Sequence, residues 1–576
     1  MISKISKILE KKDLSKFQMI LALNFTSFFL EFVSLALIPL FVSFILEVET
    51  VLNKLESYGF FYFSGLNNEE LIKYLGLLII FVFIIKNVFY YFLIHVQGQF
   101  EKNVKIKLSK KLLNFYVTRP FSYHLENNPA TLTRNTTNSI DGFRVFISRI
   151  VELFKEALTI LVILILLSLV SFKITIIIFL IFSIFGYYYL KVIRPSYKNK
   201  AKMNENYKVN LIQTINETFG AIKDIKILNK EKDIIENYNE NRNKYEKNLF
   251  YFFILQKIPR LLLETLAIIL IIIAAVIIFN SNKDLLSVLT ILSLIVVALV
   301  RFLPAFNSII SSIFYIRIYQ PTVDILFNEI KKIENFKNLS IQNKDYKLNN
   351  EKDLGKNLIS LQNVSFNYED KNSYTLKDIN LNIEKGSFVG VTGETGAGKS
   401  TLFHIMLGLL QPKSGNLFYK DKNINSDIFK WREQVGYIAQ NIYLLDDTIE
   451  KNISFDFIEK EIDRKKMDFS IKISCLEQKI LELPQGLKTK VGNDGIKLSG
   501  GERQRIALAR TIYRNPDIFF MDESTSALDS KTEQKIIKNI KENFSQKTII
   551  LIAHRKTTID ECDKIINLKN GHISLN

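Results

Sequence analysis

Six long apolar runs before residue 320 constrain the fold more than any other feature of the chain. A run of about 20 apolar residues can cross the hydrocarbon core of a bilayer as a helix, whose backbone polar groups are bonded internally. A soluble helical core could explain one such run, but six in series indicate membrane helices. We therefore predict six spans, at Phe17 to Leu46, Tyr74 to Val96, Ala157 to Phe172, Ile174 to Val192, Leu261 to Phe279 and Leu285 to Leu303.

The charges between the runs predict the orientation of the spans. The start of the chain and the long segments 97–148 and 191–260 are rich in Lys and Arg. The connection after the first span is acidic, with Glu47, Glu49, Glu56, Glu69 and Glu70. By the positive-inside rule, both termini are cytoplasmic. The net charge of +18 is then explained by cytoplasmic loops facing anionic lipid, and we do not predict nucleic-acid binding.

A glycine-rich loop in the second half of the chain fits the G-x-x-x-x-G-K-[ST] pattern of nucleoside triphosphate sites. The strand-like run Ser387 to Val391 precedes the loop and a helix-like run follows it, so the loop turns from strand to helix. Such a turn directs backbone N–H groups and the positive end of a helix dipole at phosphate. Lys399 adds a charge for the β- and γ-phosphates, and Ser400 supplies a hydroxyl for Mg²⁺. The predicted nucleotide-binding residues here are Gly393, Glu394, Thr395, Gly396, Ala397, Gly398, Lys399, Ser400 and Thr401.

Two later segments extend this site. The segment 498–502, Leu-Ser-Gly-Gly-Glu, stands before a helix-like run, and Ile518 to Met521 form a buried strand that leads into Asp522 and Glu523. Asp522 can hold Mg²⁺ directly or through a water, and Glu523 can polarise the attacking water as a general base. An isolated Asp-Glu pair after a strand is often structural, but this order of motifs favours catalysis.

These segments resemble the signature and Walker B motifs of the ABC ATPases. The resemblance implies a glutamine loop at Gln440, a D-loop over 526–529, a switch histidine at His554 and an adenine-stacking ring at Tyr368. It also implies that Gln440 contacts both the metal and the γ-phosphate, and that His554 donates a hydrogen bond to the γ-phosphate. The predicted catalytic residues are thus Glu523, His554 and Gln440, and the predicted metal ligands are Ser400, Gln440 and Asp522.

In the ABC ATPases the signature segment contacts the ATP of the opposite subunit, which implies a head-to-tail homodimer around two nucleotides. Pairing with a different half-transporter stays open. Glu502 replaces the usual glutamine of this family, and we expect an altered rate or affinity rather than loss of activity. Lys490 stands where many exporters carry an acidic residue, so the charge pairing between subunits also stays open. The further predicted nucleotide contacts are Ser499, Gly500, Gly501, Glu502 and Asp529.

Six spans followed by one ATPase domain resemble an ABC exporter half-transporter. We expect an α-helical membrane domain over 1–330, a Lys- and Asn-rich linker over 331–357 and an α/β P-loop domain over 358–576. The resemblance implies a domain-swapped homodimer in the cytoplasmic (inner) membrane, with coupling helices near Pro120 to Pro129 and Ile215 to Ile227. Cys475 and Cys562 lie in the cytosolic half, so we expect no disulfide.

Ionisable residues in or beside the predicted spans bear on the cargo, because such residues in lipid face a cavity or one another. The candidates are Glu31, Lys86, Arg260 and Arg301. Arg suits phosphate because its planar guanidinium donates two hydrogen bonds at once. The alternative is an internal pair of Glu31 with Arg301 that only fixes the packing.

A closer resemblance concerns the cargo itself. The stretches Lys257 to Glu264 and Leu299 to Pro304, with Glu31, are similar to the bacterial lipid-linked oligosaccharide flippases of protein glycosylation. This implies ATP- and Mg²⁺-dependent flipping of a polyprenyl-pyrophosphate oligosaccharide to the outer leaflet. Val51 to Phe63, apolar at helical spacing, either engages the polyprenyl tail at the outer interface or forms a simple loop. A multidrug, lipid or peptide exporter would share every ATPase residue and is the alternative.

Overall fold

The computed structural model describes residues 2–46, 68–170, 172–279, 285–342, 357–368, 373–458, 461–492, 495–523, 527–553 and 555–574. The chain forms two compact units. The first comprises Met1–Arg119 and Glu126–Lys344, and the second comprises Pro120–Leu125 and Asp345–Asn576. The first unit is helical and the second is α/β, as the sequence predicts.

Long helices build the first unit. Its helices are α1 (Ile2–Ile8), α2 (Lys11–Leu46), α3 (Asn68–Val117), α5 (Pro129–Thr136), α6 (Asn138–Val170), α7 (Phe172–Gly220), α8 (Ile222–Ile227), α9 (Glu231–Phe279) and α10 (Leu285–Gln342). Five of the six predicted spans each fall on one long helix. The third, Ala157 to Phe172, was predicted two residues too long, because α6 ends at Val170 and Phe172 is the first residue of α7. By length and composition, three stretches of the described helices could cross a membrane, namely Lys11–Ile45, Ile72–Val117 and Ile295–Phe336. Thr175–Tyr189 is a shorter apolar helix.

The core of the first unit lies where α6, α7, α9 and α10 meet. Buried side chains from these helices pack together, among them Val162, Phe182, Leu263 and Phe302. The rings of Phe182 and Phe302 lie 4.7 Å apart between centroids. Many apolar side chains on the outer faces of α2 and α3 are exposed, as expected for helices that contact lipid rather than water.

Helix α10 extends beyond the predicted end of the membrane domain. It continues to Gln342, so the first residues of the predicted linker are helical. Ile330 and Ile333 are buried, which explains why the helix persists there. The rest of the predicted linker up to residue 356 lies outside the described residues.

Two sheets organise the second unit. An antiparallel sheet has the strand order β2-β1-β4-β5, and a second sheet has the order β10-β9-β3-β8-β7-β6. In the second sheet β9, β3, β8, β7 and β6 are parallel neighbours, and β10 pairs antiparallel at one edge. The strands are β1 (Asn357–Phe366), β2 (Leu376–Glu384), β3 (Phe388–Gly393), β4 (Ser414–Tyr419), β5 (Lys422–Asn423), β6 (Val435–Ile438), β7 (Ile518–Asp522), β8 (Thr548–Ile552), β9 (Lys564–Lys569) and β10 (His572–Ser574).

Helices cover the parallel sheet on both faces. The side chains of β7 alternate between two buried clusters, with Phe520 in one and Phe519 and Met521 in the other. Because parallel strands direct their carboxyl ends to one edge, the loops after β3, β6 and β7 meet there. The helices are α4 (Phe121–Glu126), α11 (Lys399–Met406), α12 (Ile428–Glu433), α13 (Ile449–Ser454), α14 (Arg464–Ile473), α15 (Glu477–Glu482), α16 (Gly500–Tyr513), α17 (Ser530–Asn543) and α18 (Lys556–Ile559).

Candidate functional site

The glycine-rich loop forms the tight turn from β3 to α11 that the sequence predicts. Gly393, Gly396 and Gly398 have φ values of 146°, 85° and 103°, which favour glycine. A Cβ atom on Gly393 would lie 2.2 Å from the carbonyl oxygen of Leu568, whereas one on Gly396 would meet nothing within 4 Å. Gly393 therefore lets the loop pack on the sheet, and the backbone at Gly396 is open to a ligand. Glu394 and Thr395 are exposed in the same turn, and Ala397 is buried.

Lys399 and its neighbours lie at the start of α11. The Lys399 side chain is buried, and its ammonium donates hydrogen bonds to the carbonyl oxygens of Gly393 at 2.7 Å and Glu394 at 3.0 Å. The lysine is thus held over the loop, where its charge can meet phosphate. Tyr368 lies 3.2 Å from Thr401, measured between their hydroxyl oxygens, so the predicted adenine-stacking ring is close to the same helix.

The two carboxylates after β7 have different environments. Asp522 is 5% exposed at the end of the strand, and Glu523 follows with a left-handed φ of 48°. A non-glycine residue in this region stores strain of about 1 kcal/mol or more, which is common at active sites. Gln440, after β6, donates a hydrogen bond of 2.7 Å from its amide to the Glu523 carboxylate. Two predicted catalytic residues are therefore in direct contact.

The donor atoms at this edge of the sheet fit Mg²⁺. Asp522 supplies a buried carboxylate and Ser400 an exposed hydroxyl at the start of α11. Hard oxygen ligands of this kind suit Mg²⁺, which takes one or two protein ligands and completes its shell with phosphate and water. Among the described residues no group of three or more His, Cys, Asp or Glu side chains is placed to hold a metal ion.

The signature segment forms the start of α16. Ser499 is the N-cap, where its hydroxyl accepts a hydrogen bond from the Glu502 N–H at 3.2 Å and the Glu502 carboxylate accepts one from the Ser499 N–H at 2.8 Å. This is a capping box. Burial opposes ionisation of Glu502, but the Ser499 N–H and the Lys479 ammonium together hold its pKa below the ordinary value. Glu502 therefore has a structural role at the helix start that its position in the motif did not predict.

The D-loop packs against the signature helix. Cβ atoms on Gly500 and Gly501 would lie 3.3 Å and 3.1 Å from atoms of Ala527, so only glycine fits comfortably. Asp529 caps α17 by accepting hydrogen bonds from the N–H groups of Lys531 and Thr532, and hydrogen bonding by Thr532 lowers its pKa. Ser526 and the predicted switch histidine, His554, lie outside the described residues.

The short helix α4 provides a further part of the second unit. Residues Pro120–Leu125, which include all of α4 except Glu126, belong to this unit although they are connected in sequence to helices of the first. The Phe121 ring packs edge-on against His404 of α11, with 5.4 Å between ring centroids. Phe121, in the part of the predicted coupling segment that belongs to this unit, therefore touches the helix that follows the glycine-rich loop.

The second predicted coupling segment, Ile215 to Ile227, spans the turn between α7 and α8 in the first unit. Phe219 and Ile227 are exposed there, at 71% and 76%. The stretch Val51 to Phe63 lies outside the described residues.

A cavity of about 450 Å³ lies within the helical unit. The Glu31 carboxylate accepts a hydrogen bond from the Arg301 guanidinium at 2.7 Å and forms an ion pair with the Lys86 ammonium at 2.9 Å. All three residues line the cavity. The Glu31–Arg301 pair considered from the sequence thus exists, and Lys86 shares the same carboxylate. Arg301 remains half exposed, so its guanidinium can meet a further ligand.

Two charged residues of the cavity were missed by the sequence analysis. Lys155 and Glu156 pair at 2.9 Å and also line the cavity, as does Tyr90, which bonds Lys155. Both residues directly precede the third predicted span. This position beside a span is the sequence feature from which they could have been predicted to line a cavity. Arg260 does not line this cavity: it pairs with Glu264 one turn away on α9 and is 68% exposed.

Comparisons with known proteins agree with this architecture. Residues 19–304 match the family described as ABC transporter transmembrane region, and residues 376–526 match the family described as ABC transporter. Together the two matches cover well over half of the chain. The second family implies ATP binding.

Individual relatives add detail. The chain is 41% identical over 200 residues to the ABC transporter ATM1 of Toxoplasma gondii, covering 34% of this chain and 18% of that protein. It is 38% identical over 216 residues to a putative multidrug export ATP-binding/permease protein of Staphylococcus aureus, covering 37% of each. The chain thus spans well under half the length of these relatives. A bacterial Atm1-family ABC exporter solved with ATP bound has a TM-score of 0.73, with 19% identity over 98% of this chain and 94% of that one, which shows a shared fold.

Proposed function

Because the chain belongs to the ABC transporters, we propose that it is an ATP-driven exporter of an anionic amphipathic lipid. The main observation in support of this proposal is the charged cavity of the helical unit, whose lining includes three basic and two acidic side chains. The proposed cargo is a polyprenyl-pyrophosphate oligosaccharide, which moves from the inner to the outer leaflet of the cytoplasmic membrane. Both termini and the ATPase domain face the cytoplasm in this proposal.

The residues around the glycine-rich loop supply the chemistry of ATP hydrolysis. Lys399 and the loop N–H groups bind phosphate, and Glu523 polarises the attacking water as the general base. Ser400 and Asp522 would hold Mg²⁺, which would supply positive charge to neutralise the phosphates. The hydrogen bond from Gln440 ties the Glu523 carboxylate to the loop after β6. Movement of this loop therefore changes whether Glu523 can accept a proton from the attacking water.

The active assembly in this proposal is a homodimer. The signature residues Ser499 and Gly501 lie at a helix start whose N–H groups favour an anion. In this proposal that anion is the ATP of a second copy, as the resemblance to the ABC ATPases implies, so one chain forms only part of each site. ATP then draws two copies together, and the helical units follow and open the cavity outward.

The charges of the cavity support an anionic headgroup. Glu31 is shared by Arg301 and Lys86, so the two cations outnumber the carboxylate that holds them. A pyrophosphate can take hydrogen bonds from the half-exposed guanidinium without breaking the Glu31 contact. The polar wall formed by Asn87, Thr159 and Ser308 suits sugar hydroxyl groups.

A second candidate is export of hydrophobic drugs. The Staphylococcus aureus relatives are named as putative multidrug exporters, and Phe28, Phe89 and Tyr90 also line the cavity. Aromatic walls bind flat cations well. The two candidates differ in the charge of the cargo.

The test is cargo-stimulated ATPase activity of the full chain in proteoliposomes. A short-chain polyprenyl-pyrophosphate sugar lipid, a plain phospholipid and the aromatic cation ethidium are titrated against the same preparation. The proposal expects saturable stimulation by the pyrophosphate lipid alone. Stimulation by ethidium alone would favour drug export, and equal responses to both lipids would refute the proposed cargo.

A further inference from the structure

The signature segment carries a carboxylate at the start of α16, where the proposed function places a phosphate. Glu502 is the third residue of this helix, and its side chain folds back to accept a hydrogen bond from the Ser499 N–H at 2.8 Å. The first N–H groups of a helix have no acceptor within it, so this end favours an anion. The negative charge of Glu502 stabilises the helix, but it opposes a second anion at the same place, namely the phosphate of ATP.

A lysine from another helix neutralises this charge. The Lys479 ammonium lies 2.9 Å from Oε1 of Glu502, while Oε2 accepts the hydrogen bond from Ser499. The pair is largely shielded from water, with 28% of the lysine side chain and 14% of the glutamate side chain exposed. Glu482 lies farther from the same ammonium, at 3.8 Å, and is exposed, so water screens its charge. Glu502 is therefore the closer and better shielded partner of Lys479.

The packing of α15 against α16 holds Lys479 in this position. Leu476, directly before α15, is buried in the same apolar cluster as Ile506 of α16. The Arg505 guanidinium of α16 donates a hydrogen bond of 2.8 Å to the carbonyl oxygen of Cys475 at the same turn. The helix that carries Lys479 is thus fixed to the signature helix by apolar packing and by a backbone contact.

We propose that Lys479 is a positioning residue for nucleotide binding between two copies, because its ammonium cancels the charge of Glu502 at the start of α16. The inference rests on the proposed function, in which this helix start binds the ATP of a second copy. Glu502 supplies the capping box, and Lys479 keeps the helix start attractive to phosphate. Glutamine at position 502, the usual residue of the family, carries no charge and needs no such cation.

Three variants separate the charge of Lys479 from its other contacts. Lys479→Met keeps an apolar stem and leaves the charge of Glu502 uncompensated. One charge near a helix end changes anion affinity by roughly two- to fivefold, so the half-saturating ATP concentration for hydrolysis should rise by this factor. Lys479→Arg keeps the charge and should behave as the wild type. The double variant Lys479→Met with Glu502→Gln lacks both charges and should return to the wild-type value.

Lys547 offers a matched control at the opposite edge of the parallel sheet. Its ammonium pairs with Asp517 at 2.6 Å, and 24% of its side chain is exposed, which is close to the value for Lys479. Asp517 directly precedes β7, whereas Asp522 and Glu523 lie at the carboxyl end of that strand. Lys547→Met therefore removes a similarly shielded ion pair at the other end of the sheet, and it should leave the half-saturating ATP concentration unchanged.

The experiment measures hydrolysis of Mg²⁺-ATP by the full chain in proteoliposomes over a range of ATP concentrations, at low and at high KCl. Salt screens the charge of Glu502, so the difference between Lys479→Met and the wild type should shrink at high KCl. A difference that persists unchanged at high KCl would show a structural defect and overturn the inference. A double variant as defective as Lys479→Met would overturn it as well.

Ser499→Asp separates failure of the inference from failure of the proposed function. Aspartate also caps a helix, but it adds a negative charge to the signature segment. If Ser499→Asp raises the half-saturating ATP concentration and Lys479→Met does not, the inference is overturned and the proposed function stands. If the wild type hydrolyses ATP and Ser499→Asp matches it, the assignment of the signature segment to ATP fails together with this inference.

Discussion

The two units of this chain encode their chemistry in different ways. In the α/β unit the phosphate loop occupies eight consecutive residues, and Asp522 and Glu523 are adjacent. In the helical unit the charged centre joins Glu31 to Arg301 across 270 positions. Local motifs carry their function in their own spacing, whereas a membrane cavity acquires its charge pattern only when distant helices pack.

The largest effect is expected in the α/β unit from Glu523→Gln. The amide keeps the size of the side chain but cannot act as a general base, so ATP hydrolysis should fall by about 10²- to 10⁴-fold. Steady-state phosphate release and nucleotide binding are measured on the same preparation. Retained binding with lost hydrolysis is expected, and hydrolysis at the wild-type rate would remove Glu523 from the catalytic role.

In the helical unit, Arg301→Gln should weaken stimulation by the pyrophosphate lipid about tenfold, the value of one good charge-assisted contact. Lys86 still pairs with Glu31, so the fold should persist. Arg260→Gln is the matched control, because Arg260 lies outside the cavity lining. The half-saturating lipid concentration reports the effect.

The double variant Glu31→Gln with Arg301→Gln decides between the two roles of Arg301. If Arg301 binds cargo, the double variant stays defective. If Arg301 only balances the charge of Glu31, removal of both charges restores wild-type stimulation. In that case the proposed role of Arg301 in binding the cargo is wrong.

A smaller effect is expected at the signature helix, where the capping box contributes to stability. Ser499→Ala removes the N-cap and should lower the stability of the α/β unit by about 1 kcal/mol. Glu502→Gln keeps an oxygen that can accept from the Ser499 N–H, so it should cost less. Thermal unfolding compares the two variants, and a larger loss in Glu502→Gln would show that the charge of Glu502 matters more than its capping hydrogen bond.

The smallest effect concerns pH. Burial lowers the pKa of His404 from its ordinary value of 6.5. As the pH falls, the unfolded chain therefore binds a proton at His404 before the folded chain does. The contribution of neutral His404 to stability is full above about pH 6.5 and is lost as the pH falls below this value. Wild type should lose a few degrees more in melting temperature than His404→Leu between pH 8 and pH 5.5. His572→Asn, at an exposed position, serves as the control, and parallel curves for wild type and His404→Leu would contradict the prediction.

The sequence predicted the helical and α/β architecture because apolar run length and the order of the ATPase motifs are local signals. It did not predict that Lys86 shares Glu31 with Arg301, or that Lys155 and Glu156 line the same cavity, because these contacts depend on helix packing. For Arg260 the prediction from sequence went too far. This cation lies beside a predicted span, but it pairs with Glu264 on its own helix and does not line the cavity.

The most direct test of the account is ATP-driven flipping in proteoliposomes that contain a fluorescent pyrophosphate-linked sugar lipid. Accessibility of the label to a membrane-impermeant quencher is followed after Mg²⁺-ATP is added to outward-facing ATPase domains. We predict that wild type moves the label across the bilayer, and that Glu523→Gln and the wild type without ATP do not. Movement of the label at the same rate in Glu523→Gln as in the wild type would contradict the coupling of ATP hydrolysis to transport.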